Sequence, residues 1–318
     1  GIDTLVIERA ALGGQAATTQ WLDNVPGFSE GISGADFSHQ LRLQAERFGV
    51  EFLQAQDVTE VRSEDNYKHI ATGDGSNYTA KAILIATGSR YKRLEIPGEE
   101  QYIGAGIHFC ATCDGPFYKN LPVAVIGGGN SATEESIFLT KFVEKVTLLT
   151  DEKLTQKELE KVTLLVRGDE LTASKILQEK VLAHPQIDVR FNTETLEFKG
   201  AESKLNTVII KDKETGKQEE IHPKGVFTFI GQTPNTGFLA NAGVETNQWG
   251  FIVSGHNLIH DDPRPQGYET RDPTFLETSV PGIFSAGDVR AGSTKQVASA
   301  AGEGATAALL IREYLKTV

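Results

Sequence analysis

The sequence predicts an α/β protein built on dinucleotide-binding folds, and three stretches carry that reading. Val123-Ala124-Val125-Ile126 is an uninterrupted apolar run, followed at once by Gly127-Gly128-Gly129-Asn130-Ser131-Ala132. Strand, glycine turn, helix and a further apolar run make a βαβ unit. Near the start, residues 4–8 form a second apolar run that ends in an acid, Glu8. Near the end, residues 282–288 read as a strand closing on Gly287-Asp288, ahead of a long C-terminal helix that begins near Gln296.

The other elements follow in order. After the strand at 4–8 come Gly13-Gly14-Gln15 and a loop holding Asn24-Val25-Pro26-Gly27-Phe28. Apolar residues recur with helical period over 35–48. Short strand-like runs lie at 68–72 and 81–86, the second leading into Ala86-Thr87-Gly88. Beyond the glycine turn a helix is predicted through residue 142, then a strand at 145–149. Residues 172–184 read as helix, 206–211 and 226–230 as strands, 231–235 as a turn and 261–273 as a polar loop. The hexapeptide at 144–149, Glu-Lys-Val-Thr-Leu-Leu, recurs at 160–165. One duplication is not a solenoid, so it reads as a local tandem insertion, with 151–158 as a polar helix or loop between the copies.

Length and composition bound the function. A chain of 318 residues suits two domains, and 39% apolar residues suffice for real cores. The net charge is −12 with no basic block, which argues against nucleic acid as the main partner. No stretch approaches a membrane span and no signal-peptide pattern opens the chain, so the expectation is a cytoplasmic protein with no membrane partner. The sequence contains no methionine, and Gly1 leads directly into a strand, which reads as a start inside a domain.

The only two cysteines lie in Cys110-Ala111-Thr112-Cys113-Asp114. Two cysteines cannot scaffold a chain of this length. At C-x-x-C spacing one turn can bring the thiols together as a reversible two-electron switch, and the carboxyl of Asp114 could move its protons. Zinc would need two further ligands. His108 is near, but no H-x-x-H or second C-x-x-C completes a set, so no metal is expected. An inert structural pair is the alternative.

Gly127-x-Gly129-x-x-Ala132 is a dinucleotide fingerprint. The first glycine permits the turn, the second lets the backbone approach a pyrophosphate, and the small third residue packs helix on strand. Asn130 and Ser131 open the helix. A turn that only packs the helix is the alternative. The acid that reads an adenosine ribose is expected after the next strand. Thr150-Asp151 follows the first copy of the repeat and Val166-Arg167-Gly168-Asp169 the second. An acid suits a 2′-hydroxyl and repels a 2′-phosphate, and only Arg167 is at hand, so NADPH is poorly supported against NADH. Both acids are otherwise solvated loop residues. Glu8 is placed to bind a ribose of another dinucleotide, and Asp288 a ribityl chain or phosphate. A solvated strand end and a helix cap are their plain alternatives.

Together these residues resemble the low-molecular-weight thioredoxin reductase family. The resemblance rests on Phe109–Gly115, Gly13-Gly14-Gln15, Ala86-Thr87-Gly88, Gly127–Ala132 with Glu134-Glu135, Gly231–Asn235, and Gly282–Val289 with Gln296-Val297. It implies two Rossmann-like, ββα-type dinucleotide-binding domains. The FAD domain is discontinuous, at 1–107 and 235–318, and a nicotinamide-type domain carrying the disulfide is inserted at 108–234. It implies FAD held by Glu8, Gly14, Gln15, Asn24 and Val58, by Thr87 and Gly88, and by Gly287, Asp288, Gln296 and Val297. The nicotinamide cofactor would lie on Gly127, Gly129, Asn130 and Ser131. Reducing equivalents would pass through FAD to the Cys110–Cys113 disulfide, with Cys113 facing the flavin, Cys110 attacking a thioredoxin-like protein and Asp114 carrying protons. The family swings one domain between its two tasks and is homodimeric.

Two departures stand out. The family opens with a strand and a Gly-x-Gly-x-x-Gly turn for the FAD pyrophosphate. Neither is present, which reads as a trimmed sequence. The arginines that receive the NADPH 2′-phosphate are largely missing from 166–175, beside the duplication. NADH, a ferredoxin or a second flavin are the alternative donors, and a dithiol oxidase is the alternative direction. A redox-dead flavoprotein is the non-enzymatic alternative.

Overall fold

The computed structural model describes residues 1–19, 21–142, 162–201, 203–259 and 264–318. The strand expected at 145–149, the Thr150-Asp151 pair and the 151–158 link lie outside the described residues. The chain forms two compact units, 1–90 with 233–318, and 91–232.

The 91–232 unit is built on a five-stranded parallel sheet. Its order is Ile187–Arg190, Val162–Leu165, Val123–Ile126, Gly225–Thr228 and Ile107–His108. One of the two strands paired to the central one, Val162–Leu165, is therefore formed by the second copy of the repeat. The central strand is buried at all four positions, and its alternation explains why an unbroken apolar run is needed there. Val123 and Val125 enter one core with Ala132, Leu139 and Val181 of the helices Asn130–Leu139 and Lys175–Leu182. Ala124 and Ile126 enter a second core with Phe198, Leu205, Val208 and Ile210. Those four come from the antiparallel strands Thr193–Ala201 and Lys204–Asp212, which Gln218–Ile221 extends to three. Helices thus cover one face of the parallel sheet and a β-meander the other, so both faces must be apolar.

The 1–90/233–318 unit repeats the plan. Leu5–Glu8 pairs in parallel with Glu51–Gln54, and Ile83–Ile85 with Ile283–Ser285. Val58–Glu64, Tyr67–Thr72 and Asn77–Ala80 form its antiparallel meander. Among the described residues the two parallel pairs are separate sheets. In the other unit, Val123–Ile126 bridges the equivalent position. The core joins Val61 and Ile70 of the meander to Ile85, Ile252, Ile283 and Val289. No described helix is long and apolar enough to cross a membrane.

Several expectations shift. The first crossing between units falls at 90/91, against the expected 107/108. Tyr102 and Ile107 belong to the second core of the 91–232 unit, and the Phe198 N–H donates to the Pro97 carbonyl, which ties this stretch there. The second crossing, 232/233, lies close to the expected 234/235. Residues 232–234, expected as turn, are strand. The helix expected from 172 starts at Lys175, because the Thr172 N–H donates to the Gly128 carbonyl at 2.8 Å and holds the segment against the glycine turn. The strands Val58–Glu64 and Thr193–Ala201 were not legible, since each carries charged residues through its length.

Gly127 has φ +144°, and a Cβ there would lie 2.5 Å from the Phe229 carbonyl oxygen and 2.8 Å from Ala132 Cβ. Gly127→Ala should therefore cost roughly 1–3 kcal/mol. Hydrogen exchange of the full chain checks this: protection should fall across 123–139 and stay unchanged in 58–80.

Candidate active site

The Cys110–Cys113 disulfide sits just beyond the edge strand Ile107–His108. Cys110 caps the short helix Ala111–Asp114, and its Sγ accepts a hydrogen bond from the Cys113 N–H at 3.2 Å. Ala111, between the two sulfurs in sequence, is fully buried against Val123, Val125, Ala132 and Leu139. That contact fixes the turn while both cysteines and Asp114 stay partly exposed. An N–H at a helix start aimed at a sulfur favours the thiolate form of that sulfur.

Asp114 closes the same helix. Its Oδ1 lies 3.4 Å from His108 Nδ1, and His108 Nε2 lies 2.6 Å from the Tyr118 hydroxyl. Burial, and then the charge of Asp114, push the Tyr118 phenol up to about 12. A shallow groove of about 330 Å³ adjoins the disulfide, lined by Thr112, Glu134, Glu135, Ile137, Phe138 and Lys141. Burial, and then Glu134, push the Glu135 carboxyl up.

The glycine turn lies in the same unit. Asn130 Oδ1 accepts from the Ser174 N–H at 2.7 Å, and Ser131 is exposed. No side chain caps the helix after Gly129, so its first amides are open to a phosphate. Arg167, Asp169 and Glu170 are exposed beyond the strand Val162–Leu165. Lys213 Nζ donates to the Arg167 carbonyl at 3.1 Å and adds a cation that sequence reading missed. It comes from the far end of the meander strand Lys204–Asp212, so no local signal marks it.

The family model described as pyridine nucleotide-disulphide oxidoreductase matches residues 1–304. Thioredoxin reductase of Treponema pallidum (strain Nichols) is 40% identical over 315 residues, covering 99% of this chain and 90% of that protein. Thioredoxin reductase of Bacillus subtilis (strain 168) is 35% identical over 315 residues, covering 99% and 88%. Among solved structures, thioredoxin reductase from Streptococcus pyogenes MGAS5005 matches with a TM-score of 0.80 and 34% identity, over 99% of this chain and 90% of that one. The chain belongs to the pyridine nucleotide-disulphide oxidoreductases. Within them it falls in the low-molecular-weight thioredoxin reductase family of FAD-dependent disulfide oxidoreductases. Membership favours a pyridine nucleotide as donor over a ferredoxin or a second flavin.

For a member of this oxidoreductase family, the residues of the 1–90/233–318 unit fit FAD. The helix Val297–Tyr314 starts at Gln296 with no side-chain cap and no acid in its first turn, so its positive end is open to an anionic ring. Asn24 Nδ2 donates to Gln296 Oε1 at 2.8 Å and ties the early loop to that helix start. The Gln15 side-chain amide donates to the Ser89 carbonyl, and Thr87 Oγ1 donates to the Asn235 carbonyl at 2.7 Å. Gly14 is exposed and Gly88 half-buried. Gln56 N–H donates to the Glu8 carbonyl at 3.1 Å, so the chain enters Val58 from the end of the Glu8 strand. One Glu8 oxygen accepts from the Ala10 N–H at 2.8 Å.

Gly287 and Asp288 form the turn after Ile283–Ser285, and Val297 begins the helix. Burial pushes the Asp288 carboxyl up, which suits a group that hydrogen-bonds hydroxyls. Lys295 Nζ donates to the Asp288 carbonyl at 2.5 Å. Sequence reading also missed the anchor of this turn. Glu303, one helical stretch on, accepts from the Gly287 N–H at 2.7 Å and from Arg290 Nε at 3.2 Å, with Arg290 Nη2 on its other oxygen. Burial alone would raise the Glu303 carboxyl, but these bonds outweigh it and hold it below the usual range.

Glu303→Ala leaves a buried guanidinium unpaired and should cost on the order of 3–5 kcal/mol, read by denaturant unfolding. The folded-state depression fixes the sign of a pH test. The advantage of wild type over Glu303→Gln should be full at pH 7 and vanish as pH falls below the ordinary glutamate value of 4.5 and through the lower folded value.

Proposed function

We propose that this enzyme reduces a thioredoxin-like protein through Cys110 and Cys113, with reducing equivalents from a reduced pyridine nucleotide. The observation that carries this is one four-residue helix presenting both sulfurs and an adjoining carboxylate. The 1–90/233–318 unit is the FAD domain, held through Glu8, Gly14, Gln15, Asn24, Val58 and Thr87, with Asp288 and the Gln296 helix start at the flavin end. Bound FAD supplies a two-electron store between the nucleotide and the disulfide. The 91–232 unit takes the nucleotide on Gly127, Gly129, Asn130 and Ser131. Asp169 and Glu170 follow Arg167 and oppose a 2′-phosphate, so NADH is the preferred donor. Family resemblance supports a homodimer in the cytoplasm.

The chemistry of the chain's own groups balances. Two electrons and two protons convert the disulfide to two thiols. Asp114 takes the Cys110 proton, the Cys110 thiolate attacks the partner's disulfide to form a mixed disulfide, and the departing partner sulfur takes that proton from Asp114. Asp114 then receives the Cys113 proton, and the Cys113 thiolate attacks the Cys110 sulfur, closing Cys110–Cys113 again and releasing the second partner sulfur, which takes that proton. Both hydrogens end on the partner dithiol.

Asp114→Asn should lower turnover with thioredoxin by about 10²-fold or more while the flavin is still reduced by NADH. Cys113→Ser should form a stable mixed disulfide with a thioredoxin whose single remaining cysteine is activated as a thionitrobenzoate. Cys110→Ser should form none. Adduct on Cys113 instead would reverse the assignment.

A further inference from the structure

His108 has no assigned part in this chemistry, and its surroundings give it one. Its side chain is 10% exposed and lies two residues before Cys110. One ring nitrogen faces Asp114 Oδ1 at 3.4 Å and the other the Tyr118 hydroxyl at 2.6 Å. The ring packs against Tyr118 and Phe227, at centroid separations of 5.3 and 5.4 Å. Tyr118 in turn sets its edge on Phe227 at 5.6 Å. The arrangement is built by separate elements. His108 ends the edge strand, Asp114 closes the cysteine helix, Tyr118 closes the following turn at 115–118, and Phe227 belongs to the neighbouring strand Gly225–Thr228. Gly225 on that strand makes the room, since a Cβ there would lie 2.4 Å from the Tyr118 ring.

The hydrogen-bond roles follow from the chemistry. Burial and Asp114 keep the Tyr118 phenol protonated, up at about 12. With this O–H assigned as the donor, His108 Nε2 accepts it. A neutral imidazole accepting at Nε2 carries its proton at Nδ1, which points at Asp114. Tyr118 thus selects the tautomer, and His108 offers Asp114 a donor on one oxygen. The second oxygen of Asp114 belongs to the same short helix that carries the sulfurs. Among the described residues, Asp114 and Tyr118 are the titratable groups in contact with His108. The packed strand contributes Phe227 and Gly225, neither of which titrates.

Given the proton-carrying role of Asp114 proposed above, we propose that His108, oriented by Tyr118, is a positioning residue that aims the Asp114 carboxyl at the cysteine protons. The proton stays on the Asp114–cysteine path, and His108 keeps its Nδ1 hydrogen throughout.

The test compares His108→Phe, His108→Asn, Tyr118→Phe and Asp114→Asn in the FAD-loaded enzyme. Readouts are kcat and KM for thioredoxin and the pH dependence of iodoacetamide labelling of the reduced cysteines. His108→Phe keeps the ring's bulk and removes the donor. Its kcat should fall at least about tenfold, a fraction of the effect of the acid–base group itself, with KM unchanged and the labelling profile displaced. His108→Asn places an amide donor near Nδ1 and should recover a good part of kcat. Tyr118→Phe frees the tautomer and should give a smaller loss of the same kind, and it keeps the test intact if His108→Phe does not fold. Wild-type kcat and labelling in both His108→Phe and Tyr118→Phe would overturn the role of His108. Wild-type turnover in Asp114→Asn would instead overturn the reading of Asp114. Loss in Asp114→Asn with none in the other variants separates the two failures.

Discussion

The fully buried methyl group of Ala111 is the contact on which the disulfide depends. Cysteines three apart meet only if the chain turns between them, and a turn at the end of a two-residue edge strand has little of its own to hold it. Ala111 sits in the core that Val123, Val125 and Leu139 build between sheet and helices. The turn is therefore as rigid as that core, while the sulfurs and Asp114 stay within reach of solvent. The same core carries Ala132, the small residue of the dinucleotide fingerprint. One cluster thus positions both the glycine turn and the cysteine helix.

Burial explains what the sequence made legible. Val123–Ile126 and its glycine turn were readable because the strand is apolar on both faces and Gly127 leaves no room for a side chain. Ile283–Ser285, the Gly287-Asp288 turn and the helix from Val297 were readable for similar reasons. The meanders were legible only in part, through the runs at 68–72 and 206–211 that mark Tyr67–Thr72 and Lys204–Asp212. Val58–Glu64 and Thr193–Ala201 carry charged residues through their length, and their identity comes from their pairing partners. The early crossing at 90/91 was missed because 91–107 is irregular and belongs to its unit through scattered contacts.

The site divides along the same line. The residues proposed to meet cofactor or partner lie in short sequence motifs. Those that hold them in place do not. Glu303 reaches Gly287 and Arg290 from a helix whose residues 297–311 are otherwise small or apolar. Lys213 reaches Arg167 from a hairpin 46 residues away. His108 was visible in the sequence as a metal ligand without partners. Its true neighbours, Asp114 and Tyr118, follow within ten residues, but only the fold around Gly225 and Phe227 brings the three together.

The central claim is that reducing equivalents leave this protein through the Cys110–Cys113 pair. Anaerobic reduction of the FAD-loaded enzyme by nucleotide, followed by counting of free thiols before and after oxidised thioredoxin is added, tests it most directly. The account predicts that flavin bleaching is accompanied by the appearance of the two thiols of Cys110 and Cys113, and that both disappear as thioredoxin is reduced. Bleached flavin with the disulfide still closed, or thioredoxin reduced while the thiols persist, would contradict it.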